Sequence, residues 1–107
     1  MKFFTYSQNN SGGFFLGPAQ YVIIQAVDAD QADNLALDVG LYFNGVVGSQ
    51  DCDCCGDRWH CQYGDDDGSD TPMIYGTPAA DYVQGHRADG QPKAVVYYKD
   101  GTTTTYP

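Results

Sequence analysis

Apolar residues fall along the chain in short blocks, and their spacing assigns a different element to each. Lys2 to Ser7 is rich in aromatic and β-branched residues and predicts a first strand. Gln8-Asn9-Asn10-Ser11-Gly12-Gly13 stops it, because Asn and Gly accept positive φ and the Asn, Ser and Gln side chains bond nearby backbone. Phe14 to Leu16 resumes an apolar run until Gly17-Pro18 breaks it. Tyr21 to Val27 is apolar at nearly every position, which predicts a strand buried on both faces or central in its sheet. The period then changes. Ala32, Leu35, Ala36 and Val39 stand at i, i+3, i+4 and i+7, the stripe of an amphipathic helix. Asp30 is its expected N-cap, Asp33 suits the positive end of the dipole, and Gly40 is placed to end it.

Beyond the helix, Leu41-Tyr42-Phe43 predicts a short strand, with Asn44-Gly45 turning into Val46-Val47. Gly64 to Asp70 is acidic and glycine-bearing, a solvated loop; Asp65, Asp67 and Ser69 alternate as calcium ligands would, but Asp70 sits where an EF-hand needs Gly. Met73-Ile74-Tyr75 predicts another short strand, and Ala79 to Val83 fits either a helical turn or an edge strand. A hairpin follows: Ala94 to Lys99, the two-residue turn Asp100-Gly101, then Thr102 to Tyr106. No repeat or linker divides the 107 residues, so a single domain over residues 1–107 is expected. Its class is α+β: a small antiparallel sheet with one main helix packed on one face and a cysteine-rich, zinc-binding loop.

Charge narrows the partners. The formal net charge is −9 and all fourteen acidic residues are Asp, which favours turns and caps over helix interiors. A field of that sign repels phosphate backbones, so no nucleic-acid polymer is expected as a partner, whereas a basic protein is allowed. No stretch approaches the ~20 apolar residues of a membrane span, and no membrane partner is expected. The apolar run at the N-terminus is too short for a signal peptide, giving a cytosolic expectation in which thiols stay reduced.

Asp51 to Cys61 holds all four cysteines, one of two histidines, the only tryptophan and one of two arginines. Zinc takes four thiolate or imidazole ligands, and closing a loop around it adds stability that a small core lacks. Cys52, Cys54, Cys55 and Cys61 supply four sulfurs, with His60 able to replace one. Cys54 and Cys55 are adjacent, closer than the usual pairing of ligands, so one of them can point elsewhere; free thiols and disulfides are the alternatives. Four donors argue for a closed, structural site. No phosphate-binding loop or dinucleotide fingerprint is present, and enzyme function is the minority reading.

Arg58 and Trp59 admit two readings. A guanidinium beside an indole can hold the base and phosphate of a nucleotide; alternatively Trp59 fills the core while Arg58 pairs with Asp57 or Asp53. The Asn9 to Gly13 stretch likewise serves as a tight turn or as a nest of N–H groups for an anion.

The runs FFTYSQNNSGG, GLYFNGV and DCDCCGDRW resemble an uncharacterised family of small proteins encoded by tailed bacteriophages, strongly over about the first sixty residues and weakly beyond. The family motif is Cys-Pro-Cys-Cys-Gly-Asp-Arg-Trp; Asp53 replaces its proline, Cys52, Cys54 and Cys55 match it, and Cys61 lies outside it. The resemblance implies a product made in the cytoplasm of an infected bacterium and brings no activity with it.

The leading expectation is a non-enzymatic binding protein that counters host defence by sequestering a nucleotide-type small molecule, with Tyr6, Asn9, Asn10, Ser11, Gly12, Gly13, Arg58 and Trp59 forming the site. The alternatives are an acidic inhibitor of a host protein and a zinc-stabilised structural or accessory phage protein.

Overall fold

The strand Tyr21–Ala26 (β2) lies between two neighbours and is buried at five of its six positions, as its unbroken apolar run demands. The computed structural model describes residues 1–8, 17–48, 56–62, 68–82 and 92–106. Lys2–Ser7 (β1) pairs antiparallel with β2, Ala94–Tyr97 (β5) pairs with it in parallel, and Thr103–Tyr106 (β6) closes the hairpin against β5. The order is β1-β2-β5-β6, so the sheet is mixed rather than wholly antiparallel. The reason is topological. Adjacent parallel strands need a long crossover, and the chain between Ala26 and Ala94 provides it while covering both faces.

On one face lies the helix Ala29–Asp38 (α1), whose Ala29, Ala32 and Ala36 are buried against Phe4, Tyr6, Val22, Ile24 and Val95. Leu35 and Val39 complete the predicted stripe at its edge. The N-cap is Asp28, two residues before the expected Asp30. Its carboxylate accepts from the Gln31 N–H at 2.8 Å, and the Gln31 side chain returns to the Val27 N–H at 3.0 Å, leaving Asp30 as a first-turn acid. The helix stops at Gly40 as expected: Gly40 N–H donates to Leu37 O at 3.2 Å and Leu41 N–H to Ala36 O at 3.0 Å, a Schellman ending with Leu41 buried behind it. That ending is why Leu41-Tyr42-Phe43 joins no strand. Its backbone is tied to the helix terminus and its side chains pack on the core.

The opposite face is covered by residues 68–82, which carry the two-residue strands Met73–Ile74 (β3) and Thr77–Pro78 (β4). Ile74 and Ala79 bury against Ile23, Ala94 and Val96. To reach this face the chain passes the outer edge of β1, where Phe3 and Ser69 exchange backbone hydrogen bonds of 2.8 and 2.9 Å and Lys2 pairs with Asp70. Residues 79–81 form turns, the helical-turn alternative rather than an edge strand.

Candidate functional site

On the helix face, the segment 56–62 crosses the end of β1 and brings two of the predicted site residues into the interior. Asp57 accepts from the Val46 N–H at 2.9 Å and so fixes the segment against the 44–48 turn. Arg58, next in sequence, is only 2% exposed, and its Nε donates to the Tyr42 hydroxyl at 3.1 Å while Nη1 donates to Gln8 Oε1 at 3.2 Å. Gln8 is a two-way tie, since its Nε2 donates to Ala19 O at 2.9 Å. Trp59 follows at 1% exposed within the main core cluster. Its Nε1 is the one buried side-chain nitrogen or oxygen without a hydrogen-bond partner among the described residues. A buried donor left in that state costs roughly 1–3 kcal/mol.

The third predicted residue, Tyr6, is also 1% exposed; its hydroxyl donates to Asp33 at 2.7 Å and Phe43 stacks on its ring at 6.0 Å between centroids. Asp33 accepts a second bond from the Gln62 N–H at 2.9 Å, and Gln62 Nε2 donates to Thr5 O at 2.8 Å. This carboxylate therefore joins β1, α1 and the segment that carries Arg58. Neither Tyr6 nor Trp59 turns an open ring face to solvent, so a preformed stacking platform is not what these residues build. Two polar groups, a guanidinium and an indole N–H, sit instead inside the domain.

Gln8 and Gly17 are the described residues on either side of the 9–16 stretch, and each meets this pair. Gln8 binds Arg58, while a Cβ built at Gly17 would stand 3.3 Å from Trp59 Cζ2. Asn9, Asn10, Ser11, Gly12 and Gly13 themselves lie outside the described residues, as do Cys52, Cys54 and Cys55. Of the expected metal donors, His60 and Cys61 are described. Both are exposed, the Cys61 thiol is free, and no group of three His, Cys or Asp side chains gathers among the described residues. Sequence reading missed Gln8, Tyr42, Asp33 as a hub, and Gln62. Only Gln8 left a signal, because strand alternation puts it on the face of Phe4 and Tyr6.

Fold and interior together define a small α+β domain, with one helix and a mixed four-stranded sheet among the described residues and a buried Arg-Trp pair beside the end of β1. No described helix is long and apolar enough to cross a membrane. The chain belongs to the family described as Domain of unknown function (DUF7296), whose model matches residues 1–107. No curated protein and no solved structure gives a significant match.

Proposed function

We propose that this chain is a non-enzymatic bacteriophage protein that works in the cytoplasm of the infected bacterium, sequestering a nucleotide-type small molecule and so countering host defence. The observation that carries the reading is the Arg58-Trp59 pair: a buried guanidinium beside a buried indole donor with no acceptor. A phosphate or a base carbonyl is an acceptor of the kind Trp59 Nε1 lacks, and a phosphate pairs with a guanidinium through strong charge-assisted bonds. The Asn9 to Gly13 stretch supports the same reading, because Gln8, which immediately precedes it, accepts from Arg58 and because the composition of the stretch suits an anion. The phage source is supported by the resemblance of the FFTYSQNNSGG, GLYFNGV and DCDCCGDRW runs.

The pair is covered in this structure, so a ligand that reaches it displaces what covers it. Zinc held by Cys52, Cys54 and Cys55, with Cys61 or His60 as the fourth donor, belongs to the proposal as a structural element. The exposure of Cys61 and His60 leaves both able to serve.

Thermal melts with a panel of cyclic and ADP-ribose-type nucleotides test the function. A true ligand at one hundred times its Kd adds about 2.7 kcal/mol, which in a domain of this size raises Tm by roughly 10 °C. Absence of a shift with every member of the panel would remove the reading.

A further inference from the structure

The two edges of the sheet are treated differently. The β1 edge is closed by the Phe3–Ser69 backbone bonds and the Lys2–Asp70 pair, whereas among the described residues nothing pairs with the outer side of β6. Edge strands are usually blunted by charge, proline or a bulge, because their unpaired backbone invites another strand. Thr103–Tyr106 carries no charge and no proline, and it pairs with β5 in unbroken register. We infer that β6 is a strand-addition site for an extended segment of a partner protein that alternates apolar and basic residues.

Which backbone groups are open follows from the register. Tyr98 N–H donates to Thr102 O at 2.9 Å, so the pairs Val96–Thr104 and Ala94–Tyr106, two and four residues on, are the hydrogen-bonded ones. Thr103 and Thr105 therefore direct their N–H and C=O groups outward. Their side chains share the helix face with Val95 and Tyr97. On that face, between the last turns of α1 and the β5–β6 hairpin, is a groove of about 260 Å³ whose apolar walls are Ile24, Leu35, Val39 and Tyr97. It has room for one large aliphatic or aromatic side chain. A strand laid along β6 would present alternate side chains toward this groove, the pattern in which backbone bonds supply affinity and a pocket supplies selectivity.

Charge chooses the rest of the partner. On the groove side, Asp38 on its wall and Asp100 at the hairpin turn are exposed carboxylates beside the ammonium of Lys99, while Lys93 lies over the Tyr106 ring on the opposite face, in a chain of net charge −9. Basic residues flanking the apolar one match that field, and attraction of this kind weakens with salt. A second copy of this chain would bring a like net charge and a strand of four residues, a small area for a stable dimer.

The test uses the full chain and a capped peptide alternating Val and Lys, with an Asp-for-Lys version as control, and follows amide exchange residue by residue. The expected result is new protection of the Thr103 and Thr105 amides and none at Thr104 or Tyr106, already bonded to β5. The Asp version should bind about ten-fold more weakly or worse. Thr105→Pro removes one outward donor while sparing the ladder and should weaken binding about ten-fold; Thr103→Pro serves if that variant folds poorly. The inference fails if both amides stay unprotected at saturating peptide or if the Asp peptide binds equally well. It also fails if protection appears without peptide as protein concentration rises, which would assign the edge to self-association.

Discussion

Gly17 shows how closely the site is packed at the level of single residues. Its φ of +80° is left-handed, and a side chain there would press within 3.3 Å of the Trp59 ring edge. Gly17→Ala therefore combines backbone strain with a contact the indole must yield to, and should destabilise the domain by about 1–2 kcal/mol, read as a fall in the urea midpoint. Trp59 separates packing from recognition. Trp59→Phe keeps most of the buried surface but deletes the unpartnered N–H, so its stability loss should stay well below the ~3–5 kcal/mol of a full truncation to Ala. Its nucleotide-induced Tm shift should nevertheless fall sharply. A shift equal to that of the unaltered chain would leave Trp59 as core alone.

At the scale of elements, the parts legible in the sequence were those written in periodicity and in local capping chemistry. The double burial of β2, the α1 stripe, the Gly40 ending and the terminal hairpin all follow from residues within a few positions of one another, although the hairpin closes at Tyr98–Thr102 over three residues, Lys99 to Gly101, rather than over the expected two-residue turn Asp100-Gly101. What was illegible depended on distant partners. The parallel pairing of β2 with β5 joins residues about seventy apart in sequence, and the β1 edge is closed by Ser69 from an equally remote loop. Tyr42 was read as part of a strand although its hydroxyl serves Arg58, a role no local pattern announces. Of the proposed site, the burial of Trp59 was one of the two readings its sequence allowed, whereas the burial of Arg58 against Tyr42 and Gln8 depended on the fold closing around it. The proposed zinc belongs to this scale too. Chain purified without chelator should hold about one zinc ion, and its removal should lower Tm by several degrees. Metal-free protein with an unchanged melt would exclude a structural role.

For the whole molecule, the face opposite the helix makes stability depend on alkaline pH. Burial, then the 3.2 Å hydroxyl contact with Tyr82 and repulsion from its phenolate, raise the Tyr21 pKa above the usual 10.0. A folded-state pKa above the unfolded one means that the contribution is complete below about pH 10 and is lost as pH rises through the folded value. Melting temperature should therefore be insensitive to Tyr21 at neutral pH and decline beyond pH 10, less steeply in Tyr82→Phe. The proposed site lies on the other face, and the chain's single tryptophan makes it directly observable, because only one indole N–H resonance exists. Titrating the protein with the nucleotide panel while following that resonance is the sharpest test of the site. Recognition at the Arg58-Trp59 pair predicts that one nucleotide shifts the indole signal downfield in a saturable manner as Nε1 gains an acceptor. An indole signal that stays fixed throughout the panel would contradict it.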